Sequence, residues 1–185
     1  MIGNDIVDLA DAGTPSPRFL ARVLAPEERR HEAQIWRLWA AKEAAYKLLV
    51  RDDASLPFAH RLFVVDLEAR LVRHPSATVH VRWNGDERHV GCVAWRDADT
   101  DVFAASEPRG DLDEPSASVR SLARRLLQVV LGRDDETIEI LRSASGPPEV
   151  WRGGRRDDGL SVSLSHDGRY VAAAIGRRRT AHAVP

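Results

Sequence analysis

The sequence predicts an α+β protein of two similar halves, each with a helix packed on a small antiparallel sheet. Two observations indicate this fold class. A helical pattern followed by short β-like runs occurs twice along the 185 residues, and Asn84-Gly85 and Asp167-Gly168 give hairpin signals at corresponding places in the two series. The hydrophobic fraction of 43% is enough for a folded core.

The first half is expected to span residues 1–106. Its first strand covers residues 2–9, where the sequence IGNDIVDL precedes a loop rich in glycine and proline. Pro26 followed by two glutamates is typical of a helix start, and a strong helical pattern runs from about His31 to Val50. Short β-like runs then fill the segment between residues 61 and 105.

A polar stretch at residues 107–116 is expected to link this half to a second one at residues 117–185. The second half begins with an amphipathic helix that ends at Gly132, and glycine is common just after a helix C-terminus. Strands on both sides of a Gly-Pro-Pro turn at residues 146–148 follow, and a basic tail that we expect to fray ends the sequence.

Composition and charge argue against several classes of protein. The 27 basic and 28 acidic residues give a net charge of −1, whereas a protein whose main partner is nucleic acid usually carries a basic excess. No apolar run approaches the roughly 20 residues that span a bilayer, and the N-terminus lacks the pattern of a signal peptide, so we expect a cytoplasmic protein. The only cysteine, Cys92, excludes an internal disulfide and is expected to be buried.

The helix WRLWAAKEAAYKLL holds both lysines of a chain in which the other 25 of the 27 basic residues are arginines. A helical projection places Glu43 in an apolar sector with Trp39 and Tyr46, and Lys47 lies one turn further on the same edge. An isolated Glu-x-x-x-Lys is most often a surface ion pair. A carboxylate among tryptophans, however, needs a cation or a metal ion to offset its desolvation.

Asp5, in the first predicted strand, is the second candidate. In isolation, an aspartate at such a place is more often a strand end or a turn cap. If Asp5 and Glu43 meet, two carboxylates with waters and phosphate oxygens would suit Mg²⁺. The sequence spacing leaves both interpretations open.

The third candidate is the segment SLSHDG before the last predicted hairpin. A histidine that ends an apolar alternation is more often structural than functional. A catalytic Ser-His pair is disfavoured because adjacent residues of a strand point to opposite faces. Phosphate binding at the turn suits Ser165, His166 and the nearby backbone N–H groups better.

These three motifs, in the order GNDIVDL, WAAKEAAYK and SLSHDG, resemble those of the 4'-phosphopantetheinyl transferase superfamily. The segments FLARVLAPEE and SGPPEV extend the resemblance over most of the chain. It implies the fold of that superfamily and the transfer of 4'-phosphopantetheine from coenzyme A to a serine of an acyl, polyketide or peptidyl carrier protein. It also implies Mg²⁺ as cofactor and adenosine 3',5'-bisphosphate as the second product.

The resemblance assigns roles to the first two motifs. It implies that Asp5 and Glu43 ligate Mg²⁺ and that Glu43 helps to deprotonate the carrier serine, directly or through water. It also implies that Lys47 contacts the phosphate and stabilises charge as the phosphoester forms. Lys42, which completes the same motif, is expected to contact coenzyme A as well.

The remaining motifs are expected to bind coenzyme A. Ser165 with His166 would hold its 3'-phosphate. The turn from Gly146 to Pro148 is expected to contact the nucleotide, but it reads Gly-Pro-Pro where the family pattern has Gly-Lys-Pro. Arg142 or Arg152 is expected to supply the missing charge.

Two further departures concern the metal motif and the order of segments. The two-domain members have Asp-x-Glu where this chain has Asp5-Ile6-Val7, so a water or Asp8 would complete the metal site, although strand alternation turns Asp8 away from Asp5. Their Ser-His half comes first, whereas here it comes second. This order predicts a circular permutation with the site inside one monomer; the alternative is a short-type enzyme whose site is shared within a trimer.

Two other functions stay open at this point. One is a non-catalytic relative that binds coenzyme A or a carrier protein. The other is an arginine-rich nucleic-acid binder that uses Arg120, Arg124 and Arg125, residues for which a solvated helix face or a docking surface for an acidic carrier protein is favoured.

Overall fold

A computed structural model describes residues 1–110, 112–132, 138–142 and 146–179 of the chain. The described residues form antiparallel sheets with few helices, which confirms the predicted mixed α and β class. The α-helices are α1 (Leu9–Ala12), α2 (Pro17–Val23), α3 (Ile35–Leu49) and α4 (Pro115–Leu131), with 3₁₀ helices at Pro26–Gln34 and His60–Leu62. The strands are β1 (Ile2–Asp8), β2 (Val64–Asp66), β3 (Leu71–His74), β4 (Ala77–Gly85), β5 (His89–Trp95), β6 (Thr100–Pro108), β7 (Ile138–Arg142), β8 (Pro148–Arg152), β9 (Arg155–Arg156), β10 (Leu160–Asp167) and β11 (Tyr170–Arg178). None of the described helices is long and apolar enough to cross a membrane.

The first unit is a five-stranded sheet, in the order β1-β5-β4-β3-β2, covered by α3. The helix packs closely on the sheet because its inner surface consists of alanines and leucines such as Ala44, Ala45 and Leu48, all fully buried. The sequence projection had placed Trp39 and Tyr46 on the buried face, but both are only half-buried. Cys92 is buried in this core, as predicted.

The second unit is the sheet β10-β11-β6 covered by α4, with the sheet β7-β8-β9 beside it. Pro115 occupies the first turn of α4, and the Glu114 side chain caps it by accepting the Ala117 N–H. The helix ends at Gly132, whose φ of 63° is the left-handed conformation that glycine adopts without strain, as predicted.

Strand β6 crosses the predicted division at residue 106. It pairs with β11 from Thr100 to Pro108 and therefore lies in the sheet of the second unit. In both units the first strand is paired antiparallel with the last one, β1 with β5 and β6 with β11. The domain boundary itself stays a prediction, and a boundary in the turn before Thr100 describes the sheets better.

The two units meet where β1 lies beside β10. Three backbone N–H groups of β1 donate to side-chain oxygens of alternate residues of β10: Asn4 to Ser163 (2.9 Å), Ile6 to Ser165 (3.2 Å) and Asp8 to Asp167 (2.8 Å). Side chains of a strand alternate between its faces, so the spacing of two residues brings all three oxygens to the same edge. The junction thus satisfies buried N–H groups that no neighbouring strand reaches.

Two local predictions need correction. Helix α3 begins at Ile35 and not at His31, because residues 26–34 form a 3₁₀ helix. Asn84 and Gly85 do precede a hairpin turn, but they end β4, and the chain turns at residues 86–88, where the Asp86 side chain accepts the N–H groups of Arg88 and His89. The end of the basic tail, from Thr180 onward, lies outside the described residues.

Candidate active site

Three predicted site residues lie together where β1, α3 and β10 meet. The Lys47 ammonium donates to Asp5 Oδ1 at 2.7 Å and lies 3.4 Å from Ser165 Oγ. The Ser165 hydroxyl donates to the same Asp5 oxygen at 3.0 Å. With Glu43, described below, these residues form a candidate catalytic cluster, which we call the catalytic cluster: Asp5, Glu43, Lys47 and Ser165.

A glycine sets the distance between β1 and α3. A Cβ atom added to Gly3 would lie 2.1 Å from the Ala44 carbonyl oxygen and 2.8 Å from the Leu48 nitrogen. Since real side chains do not approach a backbone so closely, glycine is required for this contact. The close approach brings Asp5, two residues further along β1, within reach of Lys47.

Glu43 and Asp5 line one cleft of about 350 Å³. We call it the aromatic cleft because Phe19, Trp36 and Trp39 form its other wall. Burial, with the charge of Asp5 as a second contribution, raises the pKa of Glu43 to about 7, against the opposing effect of Lys47. Glu43 can therefore accept or release a proton near neutral pH.

Asp5 lies in a similar environment. Burial raises the pKa of its carboxyl group, although Lys47 and Ser165 favour the ionised form. One ammonium thus faces two carboxylates, and both of these have raised pKa values. A further cation near Asp5 and Glu43 would stabilise their ionised forms.

A second, larger cavity of about 680 Å³ lies on the other side of Lys47. Both units contribute to this basic cavity, whose described lining holds basic side chains but no carboxylate: Lys47, Arg51, Arg120, Arg142 and His166. Gly146, Pro147 and Pro148 form part of its wall, as does Ser163. In a protein with a net charge of −1, such a lining is suited to an anion.

Lys42 does not reach the catalytic cluster. Its ammonium is fully buried and donates to Glu28 (2.6 Å) and to the carbonyl groups of His60 (3.0 Å) and Phe63 (2.6 Å), which uses all three donors. The Glu28 carboxylate also accepts the backbone N–H of Ala25, on the same Oε2, and that of Val65, on Oε1. Lys42 therefore has a structural role in this arrangement, which speaks against its expected contact with coenzyme A.

Ser165 and His166 point in different directions, as neighbours in a strand do. Ser165 is buried in the catalytic cluster, whereas His166 is exposed and lines both the basic cavity and the aromatic cleft. The pair therefore does not form one compact anion site, and His166 alone of the two lines the basic cavity.

Asp8 does not face the catalytic cluster. Its carboxylate is fully buried, accepts two hydrogen bonds from the Arg169 guanidinium (2.8 and 2.6 Å), and has its pKa held well below the usual range by that arginine. These hydrogen bonds therefore hold the β10–β11 turn against the end of β1. With both oxygen atoms paired with Arg169, Asp8 is not available as a metal ligand beside Asp5.

The two arginines expected near the Gly-Pro-Pro turn differ in their placement. Arg142 lines the basic cavity, and its Nε donates to the Gly146 carbonyl at 2.9 Å. Arg152 pairs with Asp157 instead. Arg51, which the sequence reasoning missed, also lines the cavity. It follows Lys47 by four residues, the spacing of neighbours on a helix face, and this spacing could have indicated it.

Comparison with protein families relates this geometry to known proteins. The sequence model of the 4'-phosphopantetheinyl transferase superfamily matches residues 1–105, more than half of the chain and the whole of the first unit. The chain belongs to the 4'-phosphopantetheinyl transferase superfamily. A comparison with curated proteins finds no match.

Membership of the superfamily supports a transferase that handles phosphopantetheine, coenzyme A and, typically, a divalent metal ion. The catalytic cluster fits such an ion, since Asp5 and Glu43 both line the aromatic cleft and both have raised pKa values that a cation would lower. Within the described residues, no group of three or more His, Cys, Asp or Glu side chains is placed to hold a metal ion. Two carboxylates completed by water and phosphate oxygens are a coordination that Mg²⁺ accepts.

Proposed function

We propose that this protein transfers 4'-phosphopantetheine from coenzyme A to a serine of a carrier protein, with Mg²⁺ held by Asp5 and Glu43. One observation carries the proposal. The Asp5–Lys47 ion pair stands between the basic cavity, whose described lining has no carboxylate, and the aromatic cleft, which contains Glu43. Phosphoryl transfer needs positive charge at the phosphate and a proton acceptor at the nucleophile, and this arrangement provides both on the two sides of one ion pair.

The nucleotide part of coenzyme A would occupy the basic cavity, which places the diphosphate next to Lys47. The carrier serine would approach from the aromatic cleft and attack the phosphorus that bears pantetheine. The new bond joins the serine oxygen to this phosphorus, and the bond to the nucleotide phosphate breaks, which releases adenosine 3',5'-bisphosphate. Glu43 would take the serine proton, directly or through water, while Lys47 offsets the charge on the phosphate oxygens. Mg²⁺, when bound, would supply further positive charge to the diphosphate.

The carrier class that we propose is an acyl, polyketide or peptidyl carrier protein. We also propose that the two units are related halves in permuted order and that one chain forms the complete site. Three observations support this arrangement. Both units pair their first strand with their last, Ser165 of the second unit contacts Asp5 and Lys47 of the first, and both units line the basic cavity.

The test is to incubate the protein with coenzyme A, Mg²⁺ and a panel of apo carrier proteins, and to detect the phosphopantetheine addition by mass spectrometry. Glu43→Gln is expected to reduce the rate by at least about a hundredfold, because it removes both a metal ligand and the proton acceptor. Glu32→Gln, a matched change at an exposed position just before α3, should leave the rate unchanged. Modification of no carrier, or full activity of Glu43→Gln, would contradict the proposal.

A further inference from the structure

Arg51 connects the two units at the edge of the basic cavity. It is the second residue after the end of α3, and its Nη2 donates to the Val162 carbonyl of β10. It also lines a third cavity, with a polar lining and a volume of about 300 Å³, on the far side of the Gly-Pro-Pro turn. The two cavities share Arg51, Pro147 and Pro148. Arg51 therefore lies where the two cavities adjoin.

The charge of Arg51 lacks a hydrogen-bonded carboxylate among the described residues. Its Nε is buried and has no hydrogen-bond partner in that part of the chain. Burial lowers the pKa of its guanidinium group to about 10, and only Glu149 opposes this effect. A buried guanidinium with an unused donor is costly unless an anion enters its surroundings.

Two of the neighbouring basic groups already have partners. The Lys47 ammonium pairs with Asp5, and the Arg142 Nε is used by the Gly146 carbonyl. Pro147 has no side-chain or backbone donor to offer an anion at the turn. An anion in the basic cavity would therefore meet the Arg51 guanidinium beside this turn, at the point where the two cavities adjoin.

We infer that Arg51 binds a phosphate group of the nucleotide substrate and supplies the cation that the Gly-Pro-Pro turn lacks. The assignment to a nucleotide rests on the proposed function, whereas the affinity for a phosphate group rests on the geometry of Arg51 alone. A guanidinium group suits this task because it offers several donors in a fixed plane and forms charge-assisted hydrogen bonds with phosphate oxygens.

Calorimetric titration of wild-type and variant proteins tests the inference. The probes are adenosine 3',5'-bisphosphate, adenosine 5'-monophosphate and inorganic pyrophosphate. Arg51→Gln should weaken bisphosphate binding by at least about tenfold, since charge-assisted hydrogen bonds are lost. Arg177→Gln is the matched control, because Arg177 also donates to a carbonyl group, that of Val130, but has Asp101 as its partner. It should bind as the wild type does.

The three probes separate this inference from the proposed function. Binding of the bisphosphate equally by Arg51→Gln and wild type would overturn the inference and leave the function intact. Arg51-dependent binding of pyrophosphate without binding of either nucleotide would keep the anion site and overturn the function. A larger effect of Arg51→Gln on the bisphosphate than on the monophosphate would assign Arg51 to the 3'-phosphate, and equal effects would assign it to the phosphate at the 5' side.

A measurement on the wild-type protein covers the case in which Arg51→Gln does not fold. The arginine Nε–H resonance of Arg51, assigned with the conservative variant Arg51→Lys, should shift on titration with the bisphosphate, whereas that of Arg177 should not. An unchanged Arg51 resonance at saturation would overturn the inference. In transfer assays, Arg51→Lys should raise KM for coenzyme A with little change in kcat, because the lost contact is made equally in ground and transition states.

Discussion

Glu43 is a partly buried carboxyl group, and its burial together with the charge of Asp5 favours its protonated form. The structure raises its pKa from 4.5 to about 7. A group with a raised pKa in the folded state binds its proton more tightly there than in the unfolded chain. Its contribution to stability is therefore complete below pH 4.5 and is lost as the pH rises through about 7.

The first prediction follows from this dependence of stability on pH. Glu43→Gln, which resembles the protonated side chain, should raise the free energy of unfolding at pH 8 by on the order of 2 kcal/mol and change it little at pH values below about 5. Urea unfolding across this pH range in the absence of divalent metal measures the difference. A difference that does not grow with pH would show that Glu43 has an ordinary pKa. Glu32→Gln, at an exposed site, is the control.

The second prediction concerns the buried pair of Lys42 and Glu28. Lys42→Met should lower the free energy of unfolding by about 3 to 5 kcal/mol, because Glu28 is left as an uncompensated buried charge. The double variant Lys42→Met/Glu28→Gln should recover part of this loss. It should also retain the KM for coenzyme A, since neither residue lines the basic cavity. A KM raised tenfold or more in a folded double variant would return Lys42 to the substrate site.

The two lysines show what a sequence can predict at this scale. The motif placed both near the site, and Lys47 is there, but Lys42 is five residues earlier and points toward the His60–Phe63 segment. A helical projection gives the direction of each side chain but not what lies in that direction. Glu28, which decides the role of Lys42, is 14 residues away in a 3₁₀ helix whose start at Pro26 the pattern predicts but whose contact with Lys42 it does not.

At the scale of elements, β1 and β10 are joined by hydrogen bonds from backbone N–H groups to side chains, where two strands of a sheet would use backbone carbonyl groups. Ser163→Ala and Ser165→Ala should each lower the free energy of unfolding by about 1 to 3 kcal/mol, because each leaves a buried N–H group of β1 without its partner. Only Ser165 also contacts Asp5 and Lys47, so only Ser165→Ala should reduce the transfer rate markedly. Equal rates in the two variants would reduce Ser165 to a purely structural role.

Element boundaries were predicted less well than element types. The strand IGNDIVDL and the last hairpin lie where their β-like runs and turn signal predict them, although β1 is buried on both faces. The Asn84-Gly85 signal predicted the hairpin of β4 and β5, but the turn itself comes just after it, where the Asp86 side chain accepts two backbone N–H groups. The serines of β10 alternate as a strand requires, but nothing local to them reveals that they face the N–H groups of a strand about 160 residues earlier.

At the scale of the whole molecule, the order of the segments matters because the site lies between the two units. The first unit provides Asp5, Glu43 and Lys47, and the second provides Ser165 and His166. The ion pair of the buried Asp8 with the exposed Arg169 also joins the units, at the turn before β11. The order of the motifs in the sequence suggests a circular permutation. The contacts between the two units support a complete site within one chain.

The last prediction is that the protein is a monomer with one complete site. Light scattering at micromolar concentration should give the mass of one chain, 20.6 kDa. An activity test gives independent evidence. Glu43→Gln changes a residue of the first unit, and His166→Ala changes a residue of the second. If each chain forms its own site, a mixture of the two variants should be no more active than the separate proteins. A site shared between subunits would recover activity in the mixture, because some sites would combine the two intact units. A trimer that shows this recovery would contradict the permuted monomer and favour a short-type enzyme with an inserted segment.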